Sequence, residues 1–365
     1  LTGFIFALVR YGFALIPFVA LRFPTKKIAA VLALMAGLAY LGVSGANIAT
    51  QRAFIMVSVM LVAVLLDRPA ITLRAVALAA MIILALRPET VMEPGFQMSF
   101  AATSALVATF DYLRRVQWWR TLQFGRFRRL SPVLALIASS AIAGAATAPI
   151  SAFHFNQIAK LGLLANLLSV PVMGLAVMPS AVVAGLLSVV GLEQLPLQAM
   201  QAGIGWILYV AHWIAGLEAS VTQVKSAPGQ VLALIAAGAI IFMLWHGHLR
   251  WVGVVVSLAG FLLWSVTERP DILITENGRL VGIMAEEGRA LTRKRGNGFA
   301  ADTWLEYVGD KADQELAAAR QTFESDDFIL ERGGQRIGYF WGKEKSGHKL
   351  EPTCAEVDIL IAPQW

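Results

Sequence analysis

The sequence predicts a mainly α-helical, polytopic integral membrane protein with a small α+β soluble domain at its C-terminus. Apolar residues make up 57% of the 365 residues and charged residues 15%, whereas about 25% of residues are charged in a typical soluble domain. Residues 1–266 contain 17 Lys or Arg and 6 Asp or Glu, but residues 267–365 contain 13 and 18. We therefore predict a transmembrane domain at 1–266 and a soluble tail at 267–365.

The apolar residues form long blocks that fit membrane crossings. A crossing helix needs about 20 apolar residues. The candidate crossings are 1–21, 28–46, 53–66, 70–86, 95–112, 133–150, 203–219, 230–246 and 250–266. Two of them, 53–66 and 70–86, are short. Residues 161–192 are apolar but contain Pro171 and Pro179, so this segment is compatible with one crossing or with two.

Short basic loops predict the orientation, because loops rich in Lys and Arg stay in the cytoplasm. Six arginines crowd residues 113–131, namely Arg114, Arg115, Arg120, Arg126, Arg128 and Arg129. Counting crossings back from this loop also places Arg22, Lys26, Lys27 and Arg68 inside, and the acidic loop at Glu89 and Glu93 outside. The tail lies outside if residues 161–192 cross once and inside if they cross twice.

Arg52 is the only charged residue between Ile28 and Leu66. A guanidinium in hydrocarbon costs roughly 2.5–3.5 kcal/mol on insertion scales, and such residues usually mark functional sites. We therefore expect Arg52 to face protein or water. The alternative is that Arg52 reaches from a helix start to a lipid headgroup, or caps a neighbouring helix.

Uncharged polar side chains at membrane depth are the other candidates for an anion pathway. Amides and hydroxyls can hydrogen-bond phosphate oxygens without trapping them, and one guanidinium adds a bidentate contact. The predicted pathway residues are Arg52, Asn47, Gln51, Gln97, Ser99 and Asn166. Asn166 has a second interpretation, which is to satisfy carbonyls freed by Pro171. Phe96 and Phe100 have the composition of base-stacking residues, but helical spacing also favours a core role.

Five motifs occur in order along the membrane part of the chain. They are GVSGANIATQRAFIM at 42–56, RP at 87–88, PGFQMSFA at 94–101, APISAFHF at 148–155 and LANLLSVP at 164–171. Over roughly residues 1–220 this series resembles the competence domain of the ComEC-type DNA-internalisation proteins of bacteria.

The resemblance implies a multi-pass protein of the bacterial inner (plasma) membrane that conducts single-stranded DNA into the cytoplasm during natural transformation. It also implies an OB-like region upstream, without counterpart here, and a C-terminal domain related to metallo-β-lactamases. The chain has no P-loop motif. The expected partners are therefore single-stranded DNA, the lipid bilayer and a cytoplasmic ATP-driven motor or strand-binding protein, and a homo-oligomer is left open.

The tail lacks the ligand pattern of a di-metal nuclease. Such a site needs a dense cluster of the His-x-His-x-Asp-His type, but residues 267–365 contain one histidine, His348. His246 and His248 have the His-x-His spacing, but the Asp-His part of the pattern does not follow them. We expect a degenerate, metal-free tail with no catalytic residues, no metal and no cofactor.

The tail nevertheless has the pattern of a small α+β domain. Strand-like runs occupy 271–275, 279–284, 329–330, 336–341 and 357–362, and a helical run occupies 312–323.

Two other functions compete with a DNA channel. One is a transporter or membrane scaffold that uses Arg52 for another anionic substrate. The other is a membrane-anchored hydrolase with its chemistry in the tail, which the missing metal ligands disfavour.

Overall fold

The computed structural model describes residues 2–124, 130–320, 328–332, 334–339 and 356–361. Three of the arginines that set the predicted orientation, Arg126, Arg128 and Arg129, lie outside these residues, as do His348 and Cys354. The helices are α1 Thr2–Ala14, α2 Pro17–Arg22, α3 Thr25–Val43, α4 Ile48–Leu65, α5 Leu73–Leu86, α6 Pro94–Arg115, α7 Gln117–Phe124, α8 Ser131–Phe155, α9 Gly162–Val172, α10 Met178–Leu187, α11 Gln194–Ala215, α12 Gly229–Leu244, α13 Arg250–Ser265, α14 Gly298–Val308 and α15 Gln314–Ala319.

The strands are short. They are β1 Gln157–Ala159, β2 Val221–Gln223, β3 Ile272–Ile274, β4 Val281–Ala285, β5 Gly288–Leu291, β6 Phe328–Arg332, β7 Gln335–Tyr339 and β8 Ile359–Ile361. β1 and β2 pair with each other, and the other six form two three-stranded sheets in the tail.

The helices confirm a mainly α, polytopic membrane protein. Within the part of the chain that the structure describes, five helices are long and apolar enough to cross a membrane, namely Thr25–Val43, Ile48–Leu65, Ser131–Phe155, Gly162–Val190 and Gly247–Ser265. Shorter apolar helices are α1, α5 and α12. α6 and α11 have 22 residues each and a lower mean hydropathy.

The chain divides into two compact units. The first contains Leu1–Ser151, Ala159–Thr222 and Met243–Trp245, and the second contains Ala152–Ile158, Gln223–Phe242 and His246–Trp365. Most of α12 and all of α13 therefore group with the tail. The predicted domain division at residue 266 stays a prediction.

Two apolar segments differ in detail from the predicted crossings. Residues 1–21 are not one helix, because the helix is interrupted at Leu15 and Ile16 before α2 begins at Pro17. The nitrogen of Pro17 has no hydrogen to donate to the preceding turn. Residues 162–190 instead form one continuous helical run, although Pro171 interrupts its hydrogen bonding. A π-helical turn at Met173–Val177 absorbs this interruption.

In the first unit, α4, α5 and α6 pack side by side. Their shared core contains Met56, Val76, Ala79, Ile83, Phe96, Phe100 and Val107. Thr72 caps α5 by accepting a hydrogen bond from the Ala75 amide at 3.2 Å, and Pro94 occupies the first turn of α6, where a missing N–H costs nothing. The N-terminal ends of α4 and α6 meet at one end of this bundle through Arg52 and Gly95.

In the second unit, α12 and α13 form a closely packed hairpin. A Cβ atom on Gly238 would lie 2.5 Å from the Gly253 carbonyl oxygen, and one on Gly253 would lie 2.4 Å from the Gly238 carbonyl oxygen. Only glycine permits this approach, which is the usual basis of tight helix contacts in membranes. Ser257 adds a hydrogen bond to the Ile235 carbonyl at 3.4 Å.

The described part of the tail has three layers. β4 is the centre of an antiparallel sheet, with Ile283 opposite Ile272 on β3 and opposite Ala290 on β5. One face packs against α14 and α15 through Leu280, Leu291, Ala301, Leu305 and Ala317. The other packs against the β6–β7–β8 sheet through Val281, Ile283, Ile337, Tyr339 and Ile361.

The strand-like runs of the tail correspond to β3, β4, β6, β7 and β8, and the helical run to α15. The ends of three runs, at 321–323, 340–341 and 362, lie outside the described residues. Sequence reasoning missed β5 and α14. The signal for α14 was present, since Ala301, Leu305 and Val308 recur at helical spacing.

Candidate anion-binding site around Arg52

Arg52 lies near the start of α4 and not at its middle. Asn47 is the N-cap of this helix, and its side-chain oxygen accepts a hydrogen bond from the Thr50 amide at 2.9 Å. The preceding turn needs left-handed backbone at Gly45 and Ala46, with φ of 71° and 49°. Because each helical residue advances by about 1.5 Å, Arg52 is about 6 Å along the axis from Ile48. The site is therefore at one end of the bundle.

The guanidinium of Arg52 lies against the first turn of α6. A Cβ atom on Gly95 would lie 2.9 Å from one terminal nitrogen and 3.0 Å from the other. The Arg52 side chain is 14% exposed, and its nearest described carboxylate oxygen belongs to Glu93 at 3.9 Å. The Arg52 Nε is buried and has no hydrogen-bond partner among the described residues.

Two helix dipoles add to the positive charge of Arg52. Arg52 lies close to two helix N-termini, those of α4 and α6, and each carries a partial positive charge. The N-cap of α6 is Glu93, whose side chain makes no capping hydrogen bond. One carboxylate at salt-bridge distance therefore faces a full positive charge and two helix dipoles. Helix N-termini and arginine are both common partners of phosphate groups.

Asn47 and Gln51 support the turn that precedes α4. Asn47 also accepts a hydrogen bond from the Thr50 hydroxyl at 3.0 Å, and Gln51 donates to the Ala46 carbonyl at 2.6 Å. Both predicted pathway residues are thus next to Arg52 in the fold and have a structural role there.

Gln97 and Ser99 follow Gly95 on α6. Gln97 donates to the Val91 carbonyl at 2.9 Å, which ties α6 to the preceding turn. Ser99 lies at the interface with α4, where its hydroxyl contacts the Met56 sulfur at 3.7 Å. Gln97 is only two residues after Gly95, whereas Ser99 is a packing residue between the helices.

Asn166 lies elsewhere in the first unit. It is exposed on α9, five residues before Pro171, and the main neighbours of α9 are α11 and the π-helical turn. Its assignment to the pathway stays a prediction.

The aromatic residues of α6 belong to the core. Phe96 and Phe100 are 7% and 9% exposed, with ring centroids 4.5 Å apart. At this burial neither ring is available to stack on a nucleobase, so the core interpretation is the one that fits the structure.

Two residues of this site were not recognised from the sequence. Glu93 was seen only as part of an acidic loop, and Gly95 only as part of a motif. The Pro-Gly pair at the start of a helix was the available signal, because a glycine there permits close approach of another group.

The described residues contain no group of three or more His, Cys, Asp or Glu side chains that could hold a metal ion. His246 and His248 flank Gly247 in an exposed 3-10 turn between α12 and α13.

Comparison with known proteins places these features in a family. The sequence model of the competence protein family matches residues 1–249. The chain is also 24% identical over 341 residues to ComE operon protein 3 of Bacillus subtilis (strain 168), covering 85% of this chain and 41% of the relative. The chain thus spans about two fifths of the length of this curated relative. No solved structure matches it. With its polytopic helices and a family match over two thirds of its length, the chain belongs to the competence protein family.

Proposed function

We propose that this chain is the membrane-spanning part of a DNA-uptake protein, which conducts a single DNA strand across the bacterial inner membrane. Family membership supports a role in competence. The observation that carries the proposal is Arg52, held against the first turn of α6 with the Glu93 carboxylate 3.9 Å away. This arrangement favours a phosphate diester, which carries one negative charge and two acceptor oxygens.

The orientation puts this site at the outer end of the bundle. α6 runs from Pro94 to Arg115, and the basic loop that follows is cytoplasmic by the positive-inside rule. The start of α6, and Arg52 with it, is therefore on the outer side. The role that fits this position is an entrance at which the strand exchanges water for protein donors, not a contact midway along a pore.

A shallow site also suits conduction. Binding must be strong enough for the strand to enter and weak enough for it to leave. Glu93 favours release of the strand, because its carboxylate is an alternative partner for the guanidinium after each phosphate leaves. The driving force that moves the strand comes from a separate cytoplasmic motor or strand-binding protein, since the given sequence contains no P-loop.

The second unit supports an outer position for the tail. Asn156 follows the last residue of α8, and its carbonyl accepts a hydrogen bond from the Val224 amide at 2.8 Å. The Ser226 amide donates to the Tyr307 carbonyl of α14 at 3.1 Å. Trp264, near the end of α13, donates to the Lys225 carbonyl at 2.8 Å. The tail therefore shares a side of the membrane with the end of α8. Because α8 begins at the basic cytoplasmic loop, that side is the outer one.

The continuous helix at 162–190 agrees with this orientation. A single helical run crosses once, as the outer position of the tail requires. The connection at Gly247–Leu249 and Arg250 is then cytoplasmic.

A double-mutant cycle tests the role of Arg52. If the guanidinium binds DNA, Arg52→Gln lowers uptake of labelled DNA at least tenfold, whereas Glu93→Gln leaves uptake equal or higher. The double variant then resembles Arg52→Gln. If the pair is merely structural, both single variants lower the amount of inserted protein and the double variant recovers it. Quantified membrane insertion of every variant is the control.

Another anionic substrate is the second candidate, since a guanidinium at a helix N-terminus also suits a small anion. Uptake of radiolabelled phosphate and sulfate in the same strains separates the two. An Arg52-dependent flux of a small anion with unchanged DNA uptake would reject the DNA entrance.

A further inference from the structure

A basic loop with one highly exposed aromatic ring projects from the tail. Three consecutive cations, Arg293, Lys294 and Arg295, follow β5, and Phe299 stands in the first turn of α14. Lys294 and Arg295 are exposed, and Phe299 is 88% exposed. We call residues 293–299 the basic loop.

The basic loop is held in place by side chains of its own domain. Gln314 on α15 donates to the Arg293 carbonyl at 3.1 Å and to the Gly296 carbonyl at 2.8 Å. Asn297 donates to the Asn277 side chain in the turn before β4 at 3.1 Å. A loop fixed in this way loses little conformational entropy when it binds a partner, although its outward side chains contribute nothing to the core.

The charge of the basic loop contrasts with that of its domain. Residues 267–365 carry 18 acidic and 13 basic side chains, yet three of the basic ones are consecutive here. Asp302 and Glu306 are exposed further along α14, so the positive surface ends within one turn of Phe299. The positive surface of the basic loop is therefore large enough for only a few anionic groups.

Resting on the function proposed above, we propose that the basic loop binds single-stranded DNA on the outer side, with Lys294 and Arg295 on phosphates and Phe299 stacked on a base. Binding of this kind combines cations along the backbone with an aromatic ring that accepts any base. A lipid surface fits less well, because residues 293–298 contain no apolar side chain and membrane binding scales with buried apolar area. The tail thus holds the strand on the outer side of the membrane, and this role needs no metal ligands.

The test measures fluorescence anisotropy of a labelled oligo-dT with the full chain in phosphatidylcholine nanodiscs. Replacing Lys294 and Arg295 by Gln should lower the salt slope of log K by about 1.4, at about 0.7 for each single-strand phosphate contact. Phe299→Ala and Phe299→Leu should each weaken binding about tenfold without changing the slope, and Phe299→Trp should retain it. The charge control Lys311→Gln, beyond the other end of α14, should bind as the parent does.

Unchanged affinity and slope in the basic-loop variants would overturn the proposal, even if Arg52→Gln abolishes uptake. Altered binding in these variants would support it, even if Arg52→Gln leaves uptake intact. A lipid contact is tested with a fluorophore on Phe299→Cys in a Cys354→Ser background. Blue-shifted emission in anionic nanodiscs without DNA would assign the loop to lipid and reject the proposal.

Discussion

At the scale of single residues, the arginine and the glycine of this site depend on each other. Gly95 has no side chain, and the space this leaves is filled by both terminal nitrogens of Arg52. The cation is stabilised there only in part, since its Nε has no partner among the described residues. A polar group left in this state is expected to gain free energy from an anionic ligand.

Gly95→Ala tests this dependence without removing any charge. The new Cβ would lie 2.9 Å from a guanidinium nitrogen, and the flexible arginine side chain would move aside while the helix remains. We expect DNA uptake to fall several-fold and thermal stability in detergent to stay the same or rise, because alanine favours helix over glycine by about 1 kcal/mol. Gly144→Ala on α8, where a Cβ atom would meet nothing within 4 Å, is the matched control. Equal uptake in both variants would contradict the role of Gly95.

At the scale of secondary-structure elements, one ion pair joins the end of α14 to the end of α15. Both terminal nitrogens of Arg320 donate to the carboxylate of Asp310, and Arg320 also donates to the Arg289 carbonyl of β5 at 3.1 Å. Burial alone would raise the pKa of the Asp310 carboxyl. The hydrogen bonds and charge of Arg320, together with the backbone amides of Ala312 and Lys311, outweigh burial and hold the pKa below its ordinary value. The pair therefore stabilises the packing of both helices on the sheet.

The stabilisation from Asp310 depends on pH. Because its pKa is lower in the folded protein, the unfolded tail binds more protons around the ordinary Asp pKa of about 4. The contribution is therefore complete above about pH 5 and is lost as pH falls through the folded pKa. Hydrogen exchange of the α14 and α15 amides in the full chain, corrected for intrinsic rates, measures this. We expect Asp310→Asn to lower protection at pH 7 by about 1–3 kcal/mol and to flatten the acid dependence. Asp302→Asn, at an exposed position of α14, should retain both. A parent-like pH profile in Asp310→Asn would refute the assignment.

At the scale of the whole molecule, sequence patterns predicted the class of structure well. Long apolar blocks predict helices whatever their neighbours are. For residues 161–192 the sequence left one crossing and two crossings open, and the continuous helical run at 162–190 was not predicted. The break before Pro17 was not predicted, and a position of Arg52 near a helix start was predicted only as the alternative, since both depend on where a helix starts. Asn47 is a clear N-cap in its short polar run, and this signal would have placed Arg52 near the helix start.

The site itself was only partly predictable for a related reason. Arg52, Asn47 and Gln51 are close in sequence, so one local pattern identifies all three. Glu93 and Gly95 reach Arg52 only through the packing of α4 against α5 and α6, and a single sequence contains no information on that pairing. By residue type alone, Phe96 and Phe100 suit a base-stacking site as well as a core, and only their burial distinguishes these two roles.

The side of the tail is a prediction for the whole molecule. In a Cys354→Ser background, single cysteines replace Lys294 in the basic loop and His248 between α12 and α13. We expect a membrane-impermeant maleimide to label position 294 in intact spheroplasts and position 248 only after permeabilisation. The reverse pattern would mean that residues 161–192 cross twice, and labelling of both from one side would mean that α13 does not span.

The hairpin of α12 and α13 has a mechanical consequence. The backbones of the two helices approach closely at Gly238 and Gly253, and the hydrogen bond from Trp264 to Lys225 ties the end of α13 to the residues before α12. A domain tethered by this hairpin stays close to the bilayer, so a polymer bound to it as proposed would have an effective concentration there in the millimolar range. Contacts of only modest intrinsic strength are then sufficient to keep the polymer from diffusing away between steps.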